Sequence, residues 1–350
     1  MLSYISTIIL IVITYFVIRI LPIKNDLKNK IFLLSAFLEF FIILATREPI
    51  SDMIKYCQYY KNIGITSWNN INIFDWEKGY IILCKLLYCI NNDERFFIVV
   101  TSMLSLIGPY IFLKRYSKDY LMSLIMFVAF NFFYYYYFVL RQVLALSIIL
   151  ISIKYIEEKK PMKYIALILL ASLFHKSSII FLICYFIFNM KINKQTYIFF
   201  GGTLLLLLPM KNMIVSFINR FFYDEYIGVQ TTSGIILFLM MVIIAIILFF
   251  LNNNKEQRGS EKILFNQYIF AVLLQVLATS QSVIARLVID FYIAVIVVLP
   301  NSINKITAQQ RLTIKFIAYI CIAIVGIINN NAINEIINIW GETKWKLYFI

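Results

Sequence analysis

Two arginines at the ends of apolar runs have a pattern that suits the binding of an anion. Arg141 follows an aromatic run with four consecutive tyrosines, and Arg286 precedes Asp290 by four residues. Residues four apart share one face of a helix, so Asp290 can hold the Arg286 guanidinium in place. Arginine stays charged and binds anionic oxygens through two parallel hydrogen bonds. We predict Arg141 and Arg286 as anion-binding residues supported by Gln142 and Asp290; the alternative is a structural role at the membrane surface.

His175 is the only histidine in the chain, in the stretch Leu-Phe-His-Lys-Ser-Ser between two short apolar runs. Imidazole takes up and releases protons near neutral pH, which makes histidine the commonest general base in enzymes. The pattern favours His175 as a base that activates a hydroxyl group. The alternative is a hydrogen-bonded histidine at a helix end, without a chemical role.

A third group of candidates lies in a long polar segment, residues 47–95, within which residues 79–90 are predicted as a short helix. The segment combines acidic and aromatic side chains. Carboxylates accept hydrogen bonds from hydroxyl groups, and aromatic faces pack on the apolar faces of sugar rings. The combination is typical of a sugar-binding site, although an ordinary solvated loop can have a similar composition. The predicted sugar-binding residues are Arg47, Asp52, Tyr56, Asp75, Glu77 and Tyr80.

Apolar helices must position these residues. Of the 350 residues, 62% are hydrophobic and 14% are charged, and the mean hydropathy is +0.83, whereas soluble domains are about 45–50% apolar. The apolar runs of roughly 15–20 residues are long enough for helices to cross a bilayer, and no strand-like alternation runs through the chain. We predict an all-α, polytopic transmembrane protein that forms one integral membrane domain, residues 1–350, with about 12 spans. These are 3–21, 31–46, 96–113, 120–138, 140–156, 163–174, 177–190, 196–210, 233–251, 263–281, 285–300 and 314–330.

Positive charge predicts the orientation of the spans. Nineteen of the 32 lysines and arginines lie in one alternate set of loops, which the positive-inside rule places in the cytoplasm. Residues 47–95 and 211–232 are then extracytoplasmic loops, and the candidate residues favour the outward side. The net charge of +14 is scattered through short loops, so we expect no nucleic-acid partner. The five cysteines form no C-x-x-C pair, and we predict no metal site.

These motifs together resemble the Wzy-type O-antigen and exopolysaccharide repeat-unit polymerases, in particular the EpsG-like family. The likeness covers most of residues 40–300 in order and spacing. Arg286, followed by Phe291-Tyr292 and Pro300, fits the late arginine of the family. The other stretches that carry the resemblance are residues 47–60 with 75–80, residues 133–145 around Arg141, and residues 170–178 around His175.

The resemblance implies a GT-C-like membrane glycosyltransferase that needs neither metal nor cofactor, because its donor is already activated. It implies that a growing glycan is transferred from undecaprenyl pyrophosphate to the non-reducing end of a lipid-linked repeat unit. The reaction would occur on the outer face of the bacterial cytoplasmic membrane and build O-antigen, capsule or exopolysaccharide. Arg141 and Arg286 would bind the pyrophosphate. The implied partners are undecaprenyl-pyrophosphate-linked oligosaccharides, membrane lipids, a chain-length regulator and a flippase.

Two other functions remain open at this point. A different polyprenyl-linked glycosyltransferase would use an acid of the first outward loop as its base, namely Asp52, Asp75 or Glu77. A lipid-linked oligosaccharide flippase or transporter would place its charges in a central cavity that opens alternately to both sides. The candidate residues favour one side, which argues against transport.

Overall fold

The structure, a computed structural model, describes residues 4–50, 52–192, 194–222, 234–252 and 259–340. Every regular element in these ranges is helical, in agreement with the predicted all-α class. The α-helices are α1 (Tyr4–Ile20), α2 (Asn25–Ala45), α3 (Asp52–Ile65), α4 (Lys78–Ile90), α5 (Glu94–Tyr116), α6 (Tyr120–Ala129), α7 (Phe132–Phe138), α8 (Leu140–Glu157), α9 (Pro161–Ser172), α10 (Phe181–Phe188), α11 (Lys194–Phe222), α12 (Ile235–Asn252), α13 (Gly259–Ala278), α14 (Ser282–Tyr292), α15 (Val295–Ile303) and α16 (Ala308–Trp340). Two 3₁₀ helices lie at Trp68–Ile73 and Lys176–Ile180.

Helical structure occurs in each of the twelve predicted spans. In the part of the chain that the structure describes, six helical segments are long and apolar enough to cross a membrane. The number is seven if α6 and α7 form one broken span. Shorter apolar helices include α1 and α9. The chain is therefore a helical membrane protein, and the larger number of about 12 spans stays a prediction.

The chain forms two compact units, residues 1–185 and 186–350. In the first, α8 packs on α5 and α9, and α5 also packs on α2. The contact between α5 and α8 is close because Gly108 has no side chain: a Cβ there would lie 2.2 Å from the carbonyl oxygen of Ser147. The Gly108 N–H donates to Ser147 Oγ at 2.8 Å, and that hydroxyl donates to the Leu104 carbonyl at 3.0 Å. These contacts fix the position of α8, whose first turn carries Arg141.

The predicted span 120–138 is two helices, α6 and α7, which are bent by 49°. The break occurs at Asn131, whose φ of 68° is in the left-handed region. Asparagine tolerates this conformation better than most residues because its short polar side chain can hydrogen-bond locally. The bend separates α6 from the buried aromatic helix α7 that leads directly into α8.

Residues 47–95 are largely helical rather than an open loop. The helix predicted at 79–90 is observed as α4, which packs against α3. Lys85 lies between them, buried, and its ammonium donates to the carbonyls of Gly64 and Thr66, each at 2.6 Å. The last carbonyls of α3 have no partner within the helix and lie at the negative end of its dipole, so a cation is stabilised there. The Lys85 contact therefore anchors α4 to α3.

The second unit contains α11 to α16, with α13 packed on α11, α12 and α14. Asn266 of α13 donates to the carbonyls of Phe188 and Met190 at 3.1 and 2.8 Å. α11 continues to Phe222, so the first part of the predicted outward loop 211–232 is helical, and residues 223–232 lie outside the described residues.

Candidate functional site

Three segments of the first unit meet at the carboxylate of Glu77, which directly precedes α4. One carboxylate oxygen accepts a hydrogen bond from Arg141 Nη1, at the start of α8. The other accepts from the backbone N–H of Lys176 at 3.1 Å and lies 3.6 Å from His175 Nδ1. Glu77 is buried, whereas the Arg141 and His175 side chains are 24% and 29% exposed. The two candidate reactive side chains therefore share one buried carboxylate and both reach the surface.

The local sequence explains how the turn after α9 comes so close to α4. The N–H of Tyr80 donates to the carbonyl of Leu173 at 3.2 Å. A Cβ at Gly79 would lie 2.7 Å from both Leu173 Cβ and its carbonyl oxygen, so glycine is required for this approach. On the other side, the N–H of His175 donates to the Ala171 carbonyl at 3.0 Å and prolongs the end of α9.

An aromatic cluster supports Arg141 from the side of α3. The ring of Trp76 stacks on Tyr59, with centroids 3.9 Å apart, and makes tilted or edge contacts with Tyr56 and Tyr80, each at 5.4 Å. The Arg141 guanidinium carbon lies 4.5 Å from the Trp76 ring centroid, a cation–π contact. Trp76 thus joins α3, α4 and α8 around the guanidinium.

The electrostatics of the cluster keep Glu77 charged. Burial raises the pKa of the Glu77 carboxyl. The interaction with His175, the charge of Arg141 and hydrogen bonds from backbone N–H groups lower it by more, and the resulting pKa is about 2. Burial also raises the pKa of Tyr56, although the charge and hydrogen bond of Arg141 act in the opposite direction. At neutral pH the cluster therefore contains a carboxylate paired with a guanidinium, beside a neutral phenol.

A cavity of about 370 Å³ opens beside the cluster. Its size is within the range of small-ligand sites. The lining includes acidic, basic, amide and hydroxyl groups as well as apolar surface, which is the mixture that a sugar requires. The polar lining residues are Asn72, Asp75, Glu77, Lys78, Ser172 and Lys176.

The structure brings together five of the predicted site residues: Tyr56, Glu77, Tyr80, Arg141 and His175. Tyr56 and Tyr80 are buried beneath Trp76. Three other predicted site residues of the first unit lie close to this cluster. Asp75 is exposed and lines the cavity, Asp52 is close enough to raise the pKa of Tyr56, and Gln142 is buried beside Arg141.

Arg47 takes part in a different set of contacts. Its side chain is buried and lines a second cavity rather than the one beside Trp76. Nη1 donates to the Tyr136 carbonyl, and Nη2 lies 3.8 Å from the sulfur of Met53. Arg286 and Asp290 are both on α14 of the second unit, where Asp290 is buried and its carbonyl accepts a hydrogen bond from Gln267 at 3.3 Å.

Trp76, Lys78 and the backbone N–H of Lys176 were not among the residues predicted for the site. Trp76 had a recognisable signal, because it is a tryptophan between two acids, Asp75 and Glu77, in a polar segment. The role of the Lys176 backbone depends on the approach of two distant segments, which no local pattern reveals. Among the described residues, no group of three or more histidine, cysteine or acidic side chains is placed to hold a metal ion.

Comparison with known proteins places the chain in a family. Its sequence matches the family model described as the EpsG family over residues 30–340, a range that includes all the site residues discussed above. No curated protein and no solved structure gives a significant match. The match confirms the resemblance predicted from the motifs around Glu77, Arg141 and His175. The chain therefore belongs to the EpsG family, a family of Wzy-type polysaccharide polymerases, and is a multi-pass bacterial membrane protein.

Proposed function

We propose that this polymerase transfers a growing glycan from undecaprenyl pyrophosphate to the non-reducing end of a lipid-linked repeat unit, on the outer face of the cytoplasmic membrane. Membership of the EpsG family supports the class of reaction. The observation that carries the assignment to a site is the cluster around Glu77. It joins a cation for a phosphate leaving group, a base for a hydroxyl and a cavity of suitable size for a sugar.

In this proposal His175 is the general base. When Nδ1–H faces the Glu77 carboxylate, Nε2 is the nitrogen left to accept a proton. Nε2 takes the proton of the acceptor hydroxyl while that oxygen forms a bond to the anomeric carbon of the donor glycan. The bond between the anomeric carbon and the pyrophosphate oxygen breaks, and its electron pair leaves with the pyrophosphate. The proton on His175 then passes to solvent or to the departing phosphate.

The leaving group needs fixed positive charge, which we assign to Arg141; Arg286, on α14 of the second unit, stays a pyrophosphate ligand predicted from the sequence. The Glu77 carboxylate and the Trp76 ring hold the Arg141 guanidinium in one orientation. The side chain is still 24% exposed, so its accessible N–H groups can donate to an oxygen of the pyrophosphate.

The acceptor sugar is assigned to the cavity beside Trp76. Asp75 can accept from sugar hydroxyls, while Lys78 and Lys176 can donate to ring or hydroxyl oxygens. Tyr56 and Tyr80 are buried and act through Trp76, so we place them in a supporting role together with Gln142. Because the phosphate-linked donor is already activated, the reaction requires no nucleotide, metal or other cofactor.

Two observations support an outward location of the site. One is the distribution of positive charge along the chain, and the other is that the three segments that meet at Glu77 are predicted on the same side of the membrane. Residues 75–80, the start of α8 and the turn after α9 are all on the side that the positive-inside rule predicts as extracytoplasmic. A thiol-free variant with one cysteine introduced at position 258 provides a test, since this loop is predicted to be cytoplasmic. An impermeant thiol reagent should leave it unlabelled in intact cells and label it after lysis; labelling in intact cells contradicts the orientation.

The function is tested by the glycans of a deletion strain complemented with variants. Loss of the gene should reduce the ladder of polymer lengths to a single repeat unit, and the wild-type gene should restore the ladder. Purified protein should extend a lipid-linked repeat unit without any nucleotide sugar. Loss of the first repeat unit in the deletion strain would indicate another polyprenyl-linked transferase. Accumulation of repeat units on the cytoplasmic face would indicate a flippase.

A further inference from the structure

Arg47 is a buried cation without an acidic partner. The residue is 8% exposed, and no carboxylate pairs with it among the described residues. Its contacts are the Tyr136 carbonyl, the Met53 sulfur and the Tyr137 ring, whose centroid lies 5.5 Å from the guanidinium carbon. A buried charge is strongly unfavourable unless it is paired, and none of these groups carries an opposite charge.

One nitrogen of the Arg47 guanidinium also lacks a hydrogen-bond acceptor. Nε is buried and has no partner among the described residues. Burial lowers the pKa of Arg47 to about 10, with Tyr137 and Cys57 acting in the opposite direction, so the group is still charged at neutral pH. An anion that approached Arg47 would therefore meet a charge that no acidic side chain in the described part of the chain compensates.

A cavity of about 390 Å³ gives such an anion access to Arg47. Its walls are mainly apolar, formed by Ile42, Ile43, Ile50 and the Tyr137 ring. Ile42 is 51% exposed near the end of α2, so the apolar wall continues onto the outside of the helix, where a membrane protein meets lipid. This combination suits a molecule with an anionic head joined to a hydrocarbon chain.

The polar rim of the cavity does not supply the missing negative charge. It consists of Thr46 and Glu48. The Glu48 side chain is 83% exposed and pairs with Arg95 at 3.3 Å. Its charge is thus turned towards solvent and another arginine, which leaves the charge of Arg47 available to a ligand.

We propose that this cavity binds the phosphate groups and the adjoining isoprenoid units of the acceptor's polyprenyl carrier, with Arg47 as their ligand, whereas Arg141 is assigned to the donor's pyrophosphate. The inference rests on the proposed function, because that function requires a carrier lipid at this surface. The cavity also adjoins the candidate site along the chain: Tyr137 precedes Arg141 by four residues, and Met53 precedes Tyr56 by one helical turn. A carrier held here would have its phosphate next to the elements that position Arg141.

The direct test is equilibrium binding of radiolabelled undecaprenyl phosphate to the full-length protein in detergent. Arg47→Met keeps a long apolar side chain but removes the charge, and should weaken binding roughly 10- to 100-fold, the usual effect of losing hydrogen bonds to a charged group. Arg115→Met is the matched control, because Arg115 pairs with Glu157 at 3.0 Å and lines neither cavity; its affinity should match the wild type. Equal binding by Arg47→Met and wild type overturns the proposal.

Two further measurements keep the test decisive if Arg47→Met does not fold. Ile50→Trp fills the cavity from its wall and should weaken binding of the lipid at least tenfold, with Arg47 itself unchanged. A photoreactive analogue of undecaprenyl phosphate, applied to the wild type, should label peptides that contain residues 42–50. Labelling confined to other segments overturns the site even without a variant.

Competitors separate this ligand from others of similar chemistry. Inorganic pyrophosphate and undecaprenol each lack one half of the proposed ligand and should compete poorly, whereas unlabelled undecaprenyl phosphate should compete fully. Equal competition by phosphatidylglycerol contradicts the commitment to a polyprenyl carrier, because it indicates a general site for anionic lipids. Since binding is measured without transfer, binding at Arg47 with no polymerisation would contradict the proposed function alone, and polymerisation with no binding there would contradict this inference alone.

Discussion

The proposed relation between Glu77 and His175 predicts how their variants combine. His175→Gln removes the base, because an amide cannot accept a proton at useful pH, and should slow chain extension roughly 10²- to 10⁴-fold, about 3–5 kcal/mol of barrier. Glu77→Gln keeps the base but places an amide N–H opposite Nδ1. That donor favours the tautomer with the proton on Nε2, which cannot act as the base. Since the observed contact of 3.6 Å is long, we expect a smaller loss, roughly 10- to 100-fold.

The double variant makes the prediction specific. If Glu77 acts on the rate through His175, then Glu77→Gln should add little once the histidine is gone, and the double variant should be within about threefold of His175→Gln. The assay is the initial rate of extension with purified lipid-linked repeat unit, with the amount of folded protein in each preparation determined separately. Glu157→Gln is the control, because it also removes an acid from an arginine pair, with Arg115, but far along α8 from the site.

Two results refute this reasoning. If His175→Gln keeps more than about a tenth of the wild-type rate, a loss below about 1.4 kcal/mol, the histidine is not the base. If the losses of the two single variants multiply in the double variant, Glu77 acts independently of His175, for instance through Arg141 alone. Equal activity of Glu157→Gln and wild type is required for either conclusion.

Three further predictions concern charge and packing. Arg141→Lys and Arg286→Lys should each lose at least about tenfold in activity while the protein still inserts, because lysine keeps the charge but not the two parallel hydrogen bonds; extension rates and membrane levels check this. The folded-state pKa of Glu77 is about 2, against an ordinary value of 4.5. Its contribution to stability, about 3 kcal/mol, should be complete above pH 4.5 and lost as pH falls towards 2. The Tm difference between wild type and Glu77→Gln in detergent should shrink over that window. Gly79→Ala should destabilise the protein by roughly 1–3 kcal/mol through the clash with the turn after α9. Gly201→Ala, which meets no atom within 4 Å in α11, should be neutral or slightly stabilising in the same melting experiment.

Most of the fold was predictable because apolar runs in a bilayer have few alternatives to a helix. The helical class follows from composition and run length alone. The break at Asn131 was not predicted, because asparagine in an apolar run does not reveal that its backbone will be left-handed. The helix that continues to Phe222 was also missed, since polar residues after the apolar run of α11 suggested a loop.

The site was predictable as a set of residue types but not as a set of contacts. Glu77, Arg141 and His175 were each selected for chemistry, but the hydrogen bonds that the Glu77 carboxylate accepts from Arg141 and Lys176 were not predicted. These residues are 64 and 99 positions away in the chain, a separation at which local patterns carry no information. Arg47 was predicted as a sugar-binding residue of the outward segment 47–95. Its burial was not predicted, because it depends on how α7 packs against the segment before α3.

The geometry also bears on the choice of base between the histidine and the acids. Glu77 is a poor general base, because a carboxylate with a pKa near 2 has little affinity for a proton at neutral pH, and its two oxygens already accept hydrogen bonds. Asp52 lies beside the buried Tyr56 rather than on the cavity. Asp75 alone among the three acids is both exposed and on the cavity wall. If a carboxylate is the general base, Asp75 is therefore the candidate. Comparing the rates of Asp75→Asn and His175→Gln in the same extension assay decides between the two mechanisms, because the variant that lacks the base should be the slower one.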